Sequence, residues 1–236
     1  MSKVTESAFP LPSKELMWNV AMTHDPEEFR KVGKRCATEL SEASALAGVP
    51  MLTASRVLDW GCGPCRTLRW LLAEANPGQY YGCDVDRRAI DWCKKNAKKA
   101  SFAVTGAKPP LPYPDEFFDV VFGVSVVTHL SAEFQGVWLR ELRRIVRPGG
   151  VLMLSVMGPA IAAGLPEPRR SEFFKNGFLF VHSDVWTGIH AEWYADAYQS
   201  EAQVRRAFGE YFNVLAYKPG GMNGHQDLVV MQRPAA

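Results

Sequence analysis

The sequence predicts an α/β fold, a doubly wound and mostly parallel sheet that finishes in an antiparallel hairpin. Two observations carry this prediction. Short apolar strands alternate with helices through the middle of the chain, and right-handed helical crossovers bury such elements on a parallel sheet. The last two apolar runs, residues 212–217 and 227–232, are joined only by a Gly- and Asn-rich turn at 219–225, so they close as a hairpin. A chain of 236 residues with 47% hydrophobic composition is long enough to bury one substantial core.

Taken in order, residues 26–47 read as a helix with Asp25 as its N-cap. Residues 55–59 (SRVLD) form a short apolar strand, and 67–75 carry apolar residues at helical spacing. Residues 79–84 (QYYGCD) and 87–99 repeat the pattern of strand and helix. Residues 119–127 (DVVFGVSVV) are continuously apolar, as a strand buried on both faces should be. The amphipathic helix 133–146 is expected to stop at Arg147-Pro148-Gly149-Gly150, because proline cannot continue a helix and glycine accepts a left-handed cap. A buried strand follows at 151–156, and a last helix at 201–208 precedes the hairpin. Between them, residues 158–200 read as a long irregular stretch rich in Pro, Gly and aromatic residues, a length of loop that is often functional. The chain thus divides into an N-terminal helical lid (1–50), a core (51–157), an insertion (158–200) and a closing helix and hairpin (201–236).

The charge balance excludes some functions. Charged residues make up 22% of the chain and the net charge is +2, so no basic face for nucleic acid is expected. Lys94, Lys95, Lys98 and Lys99 read as a solvated helix face. No apolar run approaches the roughly 18–20 residues of a membrane span. The N-terminus lacks the apolar run and cleavage site of a secretory signal. Five cysteines, an odd number, suit reduced thiols in a cytoplasmic protein, working as a monomer or a homodimer.

The residues that carry chemistry begin at the first strand end, Asp59-Trp60-Gly61-Cys62-Gly63-Pro64-Cys65-Arg66. Two glycines two apart let the backbone turn tightly and let a ligand approach where a Cβ would stand. The strand and loop resemble the first motif of class I S-adenosylmethionine (SAM) methyltransferases, an apolar strand followed by acid-x-Gly-x-Gly-x-Gly. Residues 109–119 with the strand after them, and the segment RELRRIVRPGGVLMLS, resemble later stretches of the same family. The resemblance covers roughly residues 55–157 and the hairpin, and it implies a Rossmann-like, seven-stranded sheet with SAM as cofactor. It further implies that Asp59 holds the methionine ammonium, that Gly61, Cys62 and Gly63 pass close to the ligand, and that Asp84 and Val85 meet the ribose end. Gly106 and Ala107 would border the adenine, and the fourth-strand backbone from Gly123 through Val124 to Ser125 the sulfonium. Two departures stand out: Cys65 replaces the third glycine, at a position expected to begin a helix, and residues 104–108 offer adenine no carboxylate.

Three other readings of the same residues compete. A dinucleotide fingerprint would need glycine where Arg66 stands. Cys62 and Cys65 form a C-x-x-C between strand and helix, the setting of a thioredoxin-like redox site. No second cysteine or histidine pair completes a zinc site, so no metal is expected. A SAM-binding regulator without transferase activity is the remaining alternative.

The acceptor is expected to be a small molecule, methylated at oxygen. His129, just after the fourth strand, is the candidate general base, although it also suits a packing role. The insertion supplies Arg169, Arg170, Lys175, His190 and Tyr194 as candidate acceptor-binding residues. The arginine pair would suit an anionic acceptor, or else a solvated turn.

Overall fold

The computed structural model describes residues 5–6, 9–73, 79–182 and 194–235. Its centre is a seven-stranded sheet of order β3-β2-β1-β4-β5-β9-β8. The strands are β1 (Val57–Trp60), β2 (Tyr80–Asp84), β3 (Ala100–Val104), β4 (Phe118–Gly123), β5 (Val146–Val156), β8 (Asn213–Met222) and β9 (Gln226–Gln232). The first five run parallel, and β9 pairs antiparallel with both β5 and β8. Strand order reverses between β1 and β4, so the crevice beyond their carboxyl ends is where this topology opens a ligand site.

Alternation along the strands sorts their side chains into two cores. Val120, Phe122, Val151 and Met153 pack toward α2 (Pro26–Leu46) and α3 (Arg87–Asn96). Val121, Leu152 and Leu154 pack on the other face, against α4 (Ala132–Ile145) and α7 (Glu201–Gly209). Helices on both faces make the sheet doubly wound, as the sequence predicts. Asp25 caps α2 by accepting from Glu27 N at 2.9 Å, and Ser131 and Ser200 cap α4 and α7 in the same way.

Several sequence expectations are corrected. The helix expected at 67–75 is, among the described residues, a single 3₁₀ turn, Leu68–Trp70. Cys65 does not begin a helix; its φ of 60° places it in the left-handed region, which breaks the helical path. The space is taken by α2, whose Gly33 lies so close to Arg66 O that a side chain at 33 would collide with it. The Pro-Gly-Gly segment does not cap α4 either. The helix gives way at Val146, already extended, and residues 147–150 bulge out of β5, so that Phe118 pairs with Val146 but Val120 with Val151. Gly149 does take a positive φ of 73°, within the bulge.

The strand expected at 119–127 ends at Gly123, and a 3₁₀ turn, Val127–His129, carries the chain away. β3 went unread because, as an edge strand with half-exposed faces, it shows no continuous apolar run. The 158–200 stretch is not structureless. It holds α5 (Pro159–Ala162), α6 (Arg169–Asn176) and an antiparallel ribbon of β6 (Phe178–Val181) with β7 (Asp196–Gln199). The N-terminus adds α1 (Lys14–Ala21), capped by Ser13. The segment before it is fastened by buried Arg69, which donates to Phe9 O at 2.9 Å and pairs with Glu6 at 2.6 Å.

Candidate active site

The site is built from backbone first. At the end of β1, the N–H groups of Gly61 and Cys62 both donate to Cys83 O, at 2.8 and 3.0 Å, which locks the loop onto the end of β2. Gly61 has φ 76° and Gly63 φ 47°, conformations that favour glycine. A Cβ at Gly61 would collide with Val126, and one at Gly63 would lie 2.7 Å from Val20 of α1. The glycines are therefore fixed by the turn and by the packing of neighbours against it. Gly63 N in turn donates to Asp84 Oδ2 at 2.8 Å, while Asp84 Oδ1 accepts from Asp86 N at 2.8 Å. Asp86, not Asp84, caps α3. Asp84 thus ties the β1 loop to the β2 end and keeps a carboxylate at the cavity wall.

These strand ends border a cavity of about 840 Å³. Of the residues expected at the cofactor, Asp59, Gly61, Cys62, Gly63, Asp84, Val85, Gly106, Ala107, Val124 and Ser125 lie on its wall, and Gly123 does not. Burial raises the carboxyl of Asp59 well above its ordinary range, with the negative charge of Asp84 adding to the effect and Arg66 opposing it. Asp84 is likewise raised by burial, against the two backbone N–H groups that stabilise its charge. A buried acid under this strain favours a cation beside it. Arg66 lies on the same wall, so the cavity presents a carboxylate and a guanidinium together. That pairing fits the ammonium and carboxylate of an amino-acid end, which SAM carries. The space where a Cβ would stand at Gly61 and Gly63 is taken by Val126 and Val20 rather than left open to a ligand, contrary to the sequence expectation.

The rest of the lining comes from other elements. α1 and α2 contribute Leu16, Val20 and Val32, and the turn between β8 and β9 contributes Met222, His225 and Gln226. Ser125 Oγ and Ser155 Oγ both donate to Gln226 Oε1, at 3.0 and 2.6 Å, fixing that amide beside the end of β4. His129 and Tyr194 also line the cavity, with their rings stacked at 3.9 Å between centroids. Burial pushes the Tyr194 hydroxyl far up, helped by Asp196 and Asp84, so it stays protonated. Arg66, Asp196 and Gln226 were missed in the sequence. Gln226 opens β9, and its partners Ser125 and Ser155 lie 101 and 71 positions away in sequence, while Asp196 has no motif around it.

Other expectations are not met. Arg169, Arg170 and Lys175 are exposed on α6 and are absent from the cavity wall; Arg170 instead pairs with Glu167 at 2.7 Å. The structure does not bring them to the cavity: α6 turns its Phe173 into a separate apolar cluster and its charges to solvent. His190 falls outside the described residues, as do Trp186 and Trp193. The C-x-x-C reading fails too. Cys65 Sγ lies 3.2 Å from Cys93 Sγ on α3, all five cysteines are free, and burial pushes the Cys62 and Cys65 thiols well above their usual range. Their strand order is not that of a redox fold, and Cys93 donates to Gly63 O at 3.3 Å as part of the loop's packing.

Comparison with known proteins agrees with this geometry. Residues 58–154 match a family model described as a methyltransferase domain. The chain is 34% identical over 117 residues to a fatty-acid O-methyltransferase of Mycolicibacterium smegmatis, covering 49% of this chain and 41% of that protein. It is 34% identical over 111 residues to a phthiotriol/phenolphthiotriol dimycocerosates methyltransferase of Mycobacterium ulcerans, covering 46% of this chain and 40% of that one. A solved SAM-dependent methyltransferase from Methanosarcina mazei shares the fold with a TM-score of 0.58 at 17% identity, covering 77% of this chain and 93% of that one. The chain spans about two fifths of the length of the curated relatives it matches. Residues 58–154 thus match a methyltransferase-domain model, and the chain has the doubly wound fold of solved SAM-dependent methyltransferases.

Proposed function

We propose that the protein transfers a methyl group from SAM to a hydroxyl oxygen of a small, largely apolar acceptor, with His129 as general base. The observation that carries this reading is one continuous cavity whose lining includes both the glycine loop and His129. A volume of about 840 Å³ exceeds what one small ligand fills, leaving room for an acceptor beside the cofactor. Much of the lining outside the glycine loop is apolar, with Leu16, Leu130, Met157 and Met222, and the basic residues of α6 are not part of it. An anionic acceptor held by those arginines is therefore not part of the proposal. The fatty-acid O-methyltransferase among the relatives supports oxygen as the accepting atom and an apolar body for the acceptor.

In this reading Asp59 and Arg66 hold the two charged groups of the methionine end. Asp84 accepts from the ribose hydroxyls. The backbone of Gly106 and Ala107, with Val85, borders the adenine, in the absence of a nearby carboxylate. SAM supplies an electrophilic methyl group on a sulfonium. His129 accepts the acceptor's proton as the oxygen attacks, and the enclosing walls exclude water and hold the oxygen in line. The N-terminal helices (1–50) act as a lid, and the 158–200 segment contributes Tyr194 to the acceptor side. The free cysteines suit a reducing, cytoplasmic setting. Among the described residues no helix is long and apolar enough to cross a membrane.

Labelled methyl transfer to a panel of long-chain alcohols, phenols, fatty acids and amines tests the reading. A methyl ether as the favoured product is expected, and exclusive methylation of amines would overturn it. His129→Asn should lower kcat by about 10²–10⁴-fold with SAM affinity preserved, the usual worth of a positioned base. Full activity in that variant would remove the histidine from the mechanism.

A further inference from the structure

The segment just before and into β7 grips the imidazole of His129 from two sides. Tyr194 stacks on the ring with an interplanar angle of 16°. On the edge, His129 Nδ1 lies 3.1 Å from Ala195 O and 3.6 Å from Asp196 Oδ1. A backbone carbonyl only accepts, so Nδ1 must be the donor in that hydrogen bond. A neutral imidazole with its proton on Nδ1 keeps the lone pair on Nε2, the nitrogen a base needs. His129, Tyr194 and Asp196 all border the cavity.

The grip is not an accident of a loose loop. The 3₁₀ turn that carries His129 is braced by Gln135, whose Nε2 donates to Val127 O and Leu130 O, each at 3.0 Å. The ribbon is docked on the sheet by Gln199 N donating to Met157 O at 2.9 Å, at the end of β5. Both partners of the contact are therefore held by separate, buried anchors, and Thr128, His129 and Ala195 are buried.

We propose that Asp196 is a positioning residue that stabilises the imidazolium formed when His129, kept in the Nδ1–H tautomer by Ala195 O, accepts a proton. The proposal rests on His129 acting as the base. The step balances as follows: the hydroxyl proton passes to Nε2, the oxygen lone pair forms the new O–CH3 bond, and the methyl–sulfur bond breaks with its electron pair retained by sulfur. The imidazolium then sits with a carboxylate at 3.6 Å and returns its proton to water after product leaves. Ala195 O fixes the tautomer but carries no charge, so the charge stabilisation falls to Asp196. The other titratable side chains that border the cavity are Tyr194, the strand-end groups Asp59, Asp84 and Asp86 with Arg66, Cys62 and Cys83 beside them, Glu28 and Cys36 of α2, and His225 in the hairpin turn.

Nitrogen-15 NMR of histidine-labelled protein bound to S-adenosylhomocysteine tests this without knowledge of the acceptor. The His129 signals, assigned by their loss in His129→Asn, should show a protonated Nδ1 and a bare Nε2 at pH 8. In Asp196→Asn the imidazole should titrate about one pH unit lower than in the parent, because a neutral amide no longer favours the cation. Asp196→Glu should restore part of that shift, which a merely structural role would not do. An Nε2–H tautomer in the parent protein, or an unchanged titration in Asp196→Asn, would overturn the proposal. Turnover separates the two readings. If His129→Asn is inactive and Asp196→Asn retains full kcat, only the positioning role falls. If His129→Asn is fully active, the base itself falls.

Discussion

The two ends of the cavity are made in different ways. The cofactor end is backbone: two left-handed glycines, N–H groups donating to Cys83 O and Asp84, and a loop clasped between β1 and β2. The end proposed for the acceptor is side chains from four separate segments: the N-terminal helices, the turn after β4, the entry to β7 and the β8–β9 turn. A backbone site tolerates few substitutions because its geometry is its chemistry. A side-chain site can change its ligand by exchanging residues while the sheet stays intact. Substitutions at the first end should therefore act on SAM binding, and those at the second on turnover.

Gly61→Val should give the largest loss at the cofactor end. A branched residue at φ 76° is strained by about 1–2 kcal/mol, and its Cβ meets Val126, adding roughly 1–3 kcal/mol of overpacking. SAM affinity should fall at least ~100-fold, about 2.7 kcal/mol, with a lowered Tm as well. Calorimetry showing parental affinity would detach this loop from the cofactor.

Asp59 offers a sharper, pH-dependent test. Burial, then Asp84, holds its carboxyl well above the ordinary range near about 4, so the unliganded protein keeps a proton there into less acidic solution. A raised carboxyl favours the fold at low pH, and that contribution is lost as pH rises through the folded value. A bound ammonium reverses the preference, so SAM binding should release a proton and its affinity should climb with pH across that window. Titration in buffers of different ionisation enthalpy reads the proton directly. Asp59→Asn should lose the release along with affinity, and a release that persists in the variant would move the effect to another group.

The Cys62→Ala, Cys65→Gly pair should have a much smaller effect. Cys65 is strained at φ 60°, which glycine relieves by about 1 kcal/mol, while the loss of two buried thiols works the other way. SAM affinity within about threefold of the parent is expected. A loss of turnover with affinity and folding intact would give the thiols a role in chemistry after all.

The contrast between the two ends also explains what could be read from the residues alone. Strands buried on both faces announce themselves by composition, and Asp59-x-Gly61-x-Gly63 announces a turn that few other residues permit, so the sheet and its ligand wall were legible. Asp196 and Gln226 were not, because their importance lies in what the fold brings opposite them: His129 is 67 positions from Asp196, and Ser125 is 101 from Gln226. The basic residues of α6 mislead for the same reason. Composition placed aromatic and cationic residues together at 169–180, but helical periodicity sends Phe173 inward and the charges outward.

Arg169 and Arg170 give the smallest effect and the cleanest check on that lesson. The Arg170–Glu167 pair is about half exposed on both sides and spans one helical turn, a geometry worth about 0–1 kcal/mol once solvent screening is counted. Neither arginine borders the cavity, so the Arg169→Ala, Arg170→Ala variant should keep the acceptor's KM within about twofold and shift stability by less than about 1 kcal/mol. Phe173→Ala, four and three residues further along the same helix, removes a buried side chain from the cluster with Leu179 and Tyr198. It should cost about 3–5 kcal/mol, and by loosening the ribbon that carries Tyr194 and Asp196 it should lower turnover more than SAM affinity. If the arginine variant instead raised the acceptor's KM tenfold, α6 would have to reach the acceptor during turnover, and the acceptor would be anionic.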